Sequence, residues 1–408
     1  MKFKILLWVI LPFLFLSCHD DFEETESHTV LVYMVGDNSL YGNVSSDMKE
    51  MRDGYAKIGS PDKNNLLVYT DKYDTPVLIR IKIKDGEAVN DTIQRYSEMN
   101  SCDADILENV FDYVQSNFKA DHYGLVLWSH GSGSRPASLA HVKSFGWDHD
   151  NIIGDSGSNN ATTMDIPDLK TSLLSCGVSL DYILFDACEM QTIEVAYELR
   201  NCANYIIASP WDISAYGGPY DKIIPHCFSS DANLNIPFSI ANDFYNYYYD
   251  EGEENVGVMM SVVKTDEMEN LAKETKEVFS NYLTTGESIN TSDVFSYDDY
   301  SKNYFYDFKS FIISQIKNKY NDYENSDDYK KWSAAFDAAV PVYKYTDKYK
   351  IVISPTNYST HDSKGSEEEG SNGISTYIFN DQNFSDKYDD NWKIYEWYSA
   401  AGWKEAGY

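Results

Sequence analysis

The sequence predicts an α/β fold in which a mostly parallel sheet is covered by helices on both faces. The first observation is that three apolar runs, TVLVYMV, YGLVLW and DYILF, lack the polar alternation of a half-exposed strand. The second is that amphipathic, helix-prone segments separate these runs, such as the one that starts at Asp103. Apolar strands that alternate with such helices are typical of a parallel sheet buried on both sides.

The N-terminal half supplies most of the predicted elements. TVLVYMV begins a strand at Thr29, and SDMKEMRDG predicts a helix that is capped by Ser46 or Asp47 and ends at Gly54. LLVYT and VLIRIKI predict two further strands, of which the second alternates. The helix capped by Asp103, the strands YGLVLW and DYILF, the helix QTIEVAYELRN and the strand YIIASP follow.

Two regions depart from this regular pattern. Between YGLVLW and DYILF, a Gly-, Asn-, Ser- and Asp-rich stretch predicts a functional or mobile loop, followed by a short helix, IPDLKTSLLSCG.

After YIIASP the alternation of strands and helices continues with the helix PFSIANDFYNYYYD, the strand VGVMMSVVKT and a long helix from Asp266. Beyond about residue 285, two helical pieces and the strands YKIVIS and ISTYIF predict a layer packed on the sheet, with a mobile insert at HDSKGSEEEGSNG.

Composition limits the class of partner. A chain of 408 residues with 43% hydrophobic content is long enough for two domains or for one large domain with an added layer. Asp and Glu outnumber Lys and Arg by 65 to 33, which gives a formal net charge of −32 without an offsetting basic stripe. Such a surface repels nucleic acid and anionic membranes, and its ordinary role is solubility.

The first residues predict export. MKFKILLWVILPFLFLSC combines two lysines, an apolar run too short for a confident spanning helix, and Ser17 beside Cys18. LFLSC resembles a bacterial lipobox, in which the cysteine becomes the lipidated first residue of the mature protein; an unlipidated signal peptide is the alternative. The acidic residues that follow predict a flexible tether.

The remaining cysteines indicate a reactive thiol. Their number is odd, and no CxxC pair or zinc-like Cys/His spacing occurs, so the sequence indicates neither a disulfide framework nor a structural zinc site. They are Cys102, Cys176, Cys188, Cys202 and Cys227. In an exported protein we expect at least one to stay reduced for a functional reason. Cys176 and Cys202 lie in contexts that predict packing.

His130 and Cys188 each follow a predicted strand directly, and parallel strands end in a shared crevice where ligands bind. A helix predicted to begin at Cys188 would favour the thiolate. A histidine and a cysteine at neighbouring strand ends can act as a base and a nucleophile. The N–H groups of Gly131 and Cys188 are then the candidate donors to the oxyanion. Taken singly, each is more often a structural residue. A serine hydrolase is disfavoured because no GxSxG motif occurs.

The blocks WSHGSG and FDACEM resemble the His-Gly and Asp-Ala-Cys blocks of the clostripain family of cysteine peptidases, which are relatives of caspases, gingipains and legumains. TVLVYMVGDNSL, the segment leading into FDACEM, YIIASP and the terminal WYSAAGW agree. The resemblance is clear from about Thr29 to Lys264. It implies a caspase-like sheet with His130 as the catalytic histidine and Cys188 as the nucleophile.

The same resemblance implies a role for the acid two positions before the cysteine. Asp186 matches the carboxylate at the base of the pocket that receives Arg or Lys before the scissile bond; a helix N-terminal acid that orients the turn is the alternative. Ser209 and Trp211 follow YIIASP at a strand end and are candidates for the pocket wall. Family members are often cut between the two blocks, which makes Lys143 the first candidate for self-processing and Arg135 the second.

No cofactor is required by this chemistry. Calcium activates clostripain, and WDHDNIIGD offers four oxygen ligands, but their spacing fails the EF-hand pattern and favours a solvated acidic loop. These ligands are Asp148, Asp150, Asn151 and Asp155.

The sequence therefore predicts an exported, lipid-anchored cysteine endopeptidase of the cell envelope that cleaves protein or peptide substrates after Arg or Lys. The predicted organisation is a signal peptide at 1–18, a tether at 19–28, a caspase-like catalytic domain at 29–285 and an accessory layer at 286–408. Two alternatives remain: a catalytically silent surface lipoprotein that binds polypeptide or glycan, and an amidase or transpeptidase that uses the same pair.

Overall fold

The structure is a computed structural model that describes most of the chain. The described residues are 26–72, 75–134, 145–149, 162–229, 231, 235–251, 256–283, 289–297, 303–347, 350–354, 357–360, 370–378 and 389–408. The predicted signal peptide, most of the tether and most of the insert HDSKGSEEEGSNG lie outside these ranges. Within them, none of the helices combines the length and apolar composition needed to cross a bilayer.

Strands and helices alternate through the N-terminal two thirds of the chain. The strands of the described residues are β1 (His28–Val35), β2 (Asn65–Asp71), β3 (Val77–Lys84), β4 (Glu87–Arg95), β5 (His122–Trp128), β6 (Phe145–Asp148), β7 (Thr162–Met164), β8 (Leu180–Asp186), β9 (Ala203–Ala208), β10 (Met259–Lys264), β11 (Phe305–Asp307), β12 (Val342–Tyr345), β13 (Lys350–Ser354), β14 (Asn357–Thr360) and β15 (Ser375–Tyr377).

Helices connect the strands and form most of the C-terminal layer. The α-helices of the described residues are α1 (Val44–Tyr55), α2 (Ala104–Asn117), α3 (Ile166–Ser175), α4 (Ile193–Glu198), α5 (Tyr220–Cys227), α6 (Ile236–Asn246), α7 (Met268–Tyr282), α8 (Phe308–Lys319), α9 (Asp327–Ala339) and α10 (Glu396–Ala400). The prediction of a strand and helix alternation is confirmed, including the Asp103 cap, whose side chain accepts a hydrogen bond from the Asp105 N–H.

Nine strands form one mixed sheet in the order β12-β10-β9-β8-β5-β1-β2-β3-β4. The five central strands, from β9 to β2, are parallel. The strands at both edges are antiparallel. The predicted mostly parallel sheet is confirmed, and its parallel centre brings the carboxyl ends of β1, β5 and β8 to one edge.

The two faces of the sheet carry separate apolar cores. Leu31, Tyr33 and Val35 of β1 face a core that includes α2, α3 and α4 and continues into the C-terminal helices. Val32 and Met34 point to the opposite face, which α1, α5 and α6 cover. Because successive side chains of a strand point to opposite faces, burial on both sides explains the apolar runs without alternation.

The C-terminal layer shares the first of these cores rather than forming one of its own. Trp332 of α9, Trp397 of α10 and the following Trp403 are fully buried in it. Strand β12 also joins the large sheet beside β10. The C-terminal residues are thus integrated with the sheet.

One local expectation was wrong. Helix α1 begins at Val44, so Ser46 and Asp47 lie inside it and Gly54 belongs to its last turn. The Asp47 carboxylate is used in a tertiary contact instead, where it accepts a hydrogen bond from Trp128 Nε1 at 2.8 Å. The stretch between YGLVLW and DYILF also contains a two-stranded antiparallel sheet, formed by β6 and β7.

Candidate active site

The strand register brings the two candidate reactive residues to neighbouring positions. Trp128 of β5 is paired with Asp186 of β8, and His130 and Cys188 each lie two residues beyond that pair. The chain remains close after the strands end. A Cβ atom added at Gly131 would lie only 2.4 Å from the Cys188 carbonyl oxygen, so the two segments pack backbone to backbone and only glycine fits there.

His130 is held by polar and aromatic contacts. Its Nε2 lies 2.9 Å from Ser39 Oγ, which follows β1. Its ring also packs on Trp147 of β6, with ring centroids 4.1 Å apart. Burial, together with the nearby His149, lowers the pKa of His130 to about 4, so the imidazole is neutral at physiological pH and can accept a proton.

Cys188 lies in a turn rather than at the start of a helix, so the expectation of a helix dipole beneath the thiol was wrong. Helix α4 begins only at Ile193, where Thr192 caps it. The chain between them takes a left-handed conformation at Glu189, with φ of +59°. The Gln191 N–H then bonds to the Ser209 carbonyl oxygen, a β-like contact that delays the helix.

The thiol of Cys188 is neutral in this arrangement. Its Sγ lies 3.3 Å from the Ile213 N–H nitrogen and 3.7 Å from the Ile213 carbonyl oxygen. Burial raises the pKa of Cys188 well above its usual value, and the nearby Asp212 adds to this rise. In the described residues no hydrogen bond joins Cys188 to His130. The other four described cysteines, including Cys176 and Cys202, are buried, and none of the five described cysteines forms a disulfide bond.

Two backbone donors face no partner among the described residues. Neither the Gly131 nor the Cys188 N–H donates a backbone hydrogen bond to another residue of the described ranges. Both belong to the segments that pack together beyond β5 and β8. N–H groups without a hydrogen-bond partner are the kind of donor that an oxyanion requires, and the assignment of this role to Gly131 and Cys188 stays a prediction.

Asp186 ends β8 as a buried carboxylate. Its Oδ2 accepts hydrogen bonds from the Gly218 N–H at 2.9 Å and from the Tyr220 hydroxyl at 2.8 Å. A Cβ atom added at Gly217 would lie 3.0 Å from the same oxygen, so this glycine packs closely against the carboxylate. Burial raises the pKa of Asp186, while the bonds from Gly218 and Tyr220 lower it. The carboxylate therefore has hydrogen-bond donors, but none of these donors is a cation.

Further acids of α1 lie on the same side of the sheet. Burial, and then Asp186, raise the pKa of Asp47 to about 8. Glu50 accepts a hydrogen bond from the Tyr220 N–H at 3.2 Å, and its pKa is also raised, first by burial. A cation that approached these acids would lower their pKa values and favour the ionised carboxylates.

Ser209 and Trp211, which follow β9, are both buried. Ser209 is fully buried and its Oγ accepts a hydrogen bond from the Trp211 N–H. The Trp211 side chain packs with Met259 of β10 and with Tyr297 of the C-terminal layer. Their role in forming the pocket stays a prediction.

Several other predicted residues fall outside the described ranges: Cys18, Arg135, Lys143, Asp150, Asn151 and Asp155. Of the four acidic-loop residues, Asp148 is described, and its carboxylate accepts a hydrogen bond from the Ser101 N–H. Among the described residues, no group of three or more His, Cys, Asp or Glu side chains is arranged to hold a metal ion. Because three of the four proposed calcium ligands lie outside the described ranges, calcium binding by this loop stays a prediction.

Sequence reasoning did not identify several residues that touch the predicted pair and the acid. Ser39 and Trp147 contact His130, Ile213 contacts Cys188, and Tyr220 contacts Asp186. The pair Gly217-Gly218 before Tyr220 was a usable signal, since adjacent glycines often mark a close backbone approach. The others have no local signature.

Comparisons with known proteins identify the family of this chain. The model of the clostripain family matches residues 32–406. Clostripain from Hathewaya histolytica is 24% identical over 91% of this chain and 79% of its own length. The structure of a secreted C11 cysteine protease from Bacteroides thetaiotaomicron, in complex with an irreversible peptide inhibitor, is 35% identical with a TM-score of 0.76, covering 93% of this chain and 99% of that one.

An inactive zymogen C11 protease from Parabacteroides distasonis is 29% identical with a TM-score of 0.74, over 92% of this chain and 99% of that one. These matches extend through the sheet and the C-terminal layer alike, and the proteins they identify are cysteine peptidases. The caspase-like fold is therefore confirmed, and the chain belongs to the clostripain family of cysteine endopeptidases.

Proposed function

We propose that this cysteine endopeptidase is exported and cleaves polypeptides after Arg or Lys, with Cys188 as nucleophile and His130 as the base. The observation that carries the proposal is the pairing of Trp128 with Asp186, because it sets the histidine, the cysteine and the acid at the ends of adjacent parallel strands. No metal or organic cofactor takes part, since a thiol and an imidazole supply the nucleophile and the proton carrier.

The chemical steps follow from the two neutral side chains. When a peptide enters, His130 accepts the thiol proton as Cys188 Sγ attacks the carbonyl carbon, and the carbonyl electrons move to the oxygen. The Gly131 and Cys188 N–H groups stabilise that oxyanion. The C–N bond then breaks, the imidazolium gives its proton to the leaving amine, and a thioester remains. Water, deprotonated by His130, hydrolyses the thioester and regenerates the thiol.

The preference for Arg or Lys is supported by the state of Asp186. The carboxylate is buried, and its two donors are neutral groups, Gly218 N–H and the Tyr220 hydroxyl. A cationic substrate side chain would supply the missing charge. A neutral side chain would leave that buried charge unmatched, which costs roughly 3–5 kcal/mol when one partner of such a pair is missing.

Export and processing are further parts of the proposal. The segment MKFKILLWVILPFLFLSC supports a lipoprotein signal with Cys18 as the lipidated residue, and hence a position in the cell envelope. Self-cleavage after Lys143 would fall between the histidine and cysteine segments, in the Gly-, Asn-, Ser- and Asp-rich stretch whose sequence predicts a loop that can be cut without breaking a flanking strand. The protein with Cys188→Ala should then stay intact while the parent is cut.

A peptide panel tests the function directly. Fluorogenic substrates with Arg, Lys, Asp, Asn or Leu at the cleavage position are compared on the parent and on Cys188→Ala. The proposal expects turnover of the Arg and Lys substrates only, and only by the parent, together with labelling of Cys188 by a Lys- or Arg-acyloxymethyl ketone. Equal turnover of Leu substrates would contradict the specificity, and activity in Cys188→Ala would contradict the nucleophile.

A further inference from the structure

The chemical steps above make no use of Glu194, although it is a fully buried acid close to the cysteine segment. It lies in the first turn of α4, six residues after Cys188, and is 0% exposed. A carboxylate at such a position is costly unless it is well hydrogen-bonded. Burial raises the pKa of Glu194, while hydrogen bonds from Thr376, the Tyr377 N–H and Ser134 lower it.

The carboxylate of Glu194 joins three parts of the chain. Its Oε2 accepts a hydrogen bond from Ser134 Oγ at 3.0 Å. Its Oε1 accepts hydrogen bonds from Thr376 Oγ1 at 2.8 Å and from the Tyr377 N–H at 3.1 Å. Helix α4, the segment that follows β5 and strand β15 of the C-terminal layer therefore meet at one buried group.

Ser134 belongs to the short segment that carries His130. Elsewhere this segment approaches the cysteine turn through glycines, since a Cβ atom at Gly131 would contact the Cys188 carbonyl oxygen and one at Gly133 would lie 2.5 Å from the Glu189 carbonyl oxygen. Such steric contacts limit how far the segment can approach, but they do not fix its direction. The hydrogen bond from Ser134 to Glu194 adds a directional contact.

The C-terminal layer reinforces the same region. The Ser375 N–H bonds to the Gln191 carbonyl oxygen at 3.0 Å, and Ser375 forms a parallel bridge with Thr192. Gln191 Nε2 in turn donates to Ser261 Oγ of β10 at 3.0 Å. Strand β15 is therefore hydrogen-bonded to the segment that connects Cys188 to α4.

We propose that Glu194 is a positioning residue: it fixes the His130 segment relative to the Cys188 turn and makes that alignment depend on the docking of strand β15. The inference rests on the proposed His130 and Cys188 pair, and it adds that the C-terminal layer is required for catalysis. Small displacements of catalytic groups have large effects on rate, which makes the alignment measurable.

Three variants separate positioning from folding. Ser134→Ala removes only the contact to the His130 segment and should lower kcat about tenfold, with KM within about twofold of the parent. Glu194→Gln should retain most activity, because its amide oxygen can accept from Thr376 and Tyr377 while its NH2 group donates to Ser134. Thr275→Val is the matched control, since it removes a buried hydroxyl of α7 that accepts from Trp332 Nε1; it should lower the melting temperature and leave kcat unchanged.

A double-mutant cycle tests the coupling without relying on catalysis. If Glu194 joins the two segments, the losses of melting temperature in Ser134→Ala and Thr376→Val will not add in the double variant. Additive losses, or a Ser134→Ala protein with the kcat of the parent, would overturn the inference. A parent that cleaves no peptide of the panel would refute the proposed function instead, while the cycle would still decide whether Glu194 couples the segments.

Discussion

The two ends of strand β5 carry a histidine in opposite electrostatic settings. At its start, His122 Nδ1 lies 2.8 Å from Asp181 Oδ2 and Nε2 lies 3.0 Å from Glu26 Oε2. Burial lowers the pKa of His122, but the two carboxylates outweigh this effect and the pKa is raised. At the other end, burial and His149 lower the pKa of His130 to about 4.

Strand β8 repeats the contrast with acids. Asp181, near its start, has His122 as a partner, whereas Asp186 at its end is buried beside neutral donors only. The amino ends of the strands thus hold paired charges, and the carboxyl ends hold ionisable groups without opposite charges among these contacts. Such uncompensated groups are costly to fold around and cluster at functional sites. The comparison supports the proposal that the carboxyl ends carry the chemistry.

The largest expected effect comes from replacing one of the two histidines, and the other histidine provides the control. His130→Ala should lower kcat/KM by about 10³-fold, because removing a general base costs about 10²- to 10⁴-fold. His122→Ala changes the same residue type at the other end of β5 and should stay within about twofold of the parent. Steady-state kinetics on an Arg or Lys substrate measures both. Equal losses of kcat/KM in the two variants would show that the two ends of β5 do not differ in function.

The acids of β8 give the second test. Asp186→Asn should lower kcat/KM for Arg and Lys substrates by about 10²-fold, because the buried charge that receives the cation is gone. Its melting temperature should not fall, since a buried charge without a cationic partner is removed. Asp181→Asn is the matched control and should leave the specificity unchanged. A protein that prefers Arg and Lys as strongly with Asn at 186 would refute the role of this acid.

Removing one donor from Asp186 should have a smaller effect. Tyr220→Phe deletes a hydrogen bond that lowers the pKa of Asp186, so that pKa rises further. Since the ionised form binds the cation, the acid limb of kcat/KM should move to higher pH, with about a tenfold loss below the new limb. A limb at the parent position would show that another group controls it.

The smallest expected effect concerns stability at the amino end. The folded-state pKa of His122 is raised, so its contribution is fully present below its unfolded value and is lost as pH rises through the folded value. The loss of melting temperature in His122→Ala should therefore be larger at pH 5 than at pH 9. Solvent screening limits the contribution to about 0.5 kcal/mol. A larger loss at pH 9 would contradict the assignment of the raised pKa to Asp181 and Glu26.

The central sheet could be predicted because its signals are local. Apolar runs such as YGLVLW and DYILF are buried on both sides, and Asp103 caps α2 as expected. Predictions failed where a tertiary contact overrode a local preference. Asp47 was expected to cap a helix, but Trp128 uses its carboxylate. A helix was expected at Cys188, but the chain makes a turn there, Gln191 bonds to Ser209, and helix α4 begins only at Ile193.

The sequence by itself determined the fold class and the order of the blocks that contain His130 and Cys188, because strand burial and strand ends are encoded in local patterns. It also resembled the clostripain family closely enough to indicate the chemistry. Only the tertiary structure decided the protonation state of the site residues and which side chains contact the segments that carry them. Burial and the nearby Asp212, which comes from a distant segment, raise the pKa of Cys188 and keep its thiol neutral. The role proposed for Glu194 depends on Ser134 and Thr376, which fold onto it from two other parts of the chain. Burial and long-range charge depend on three-dimensional proximity, which no local pattern contains.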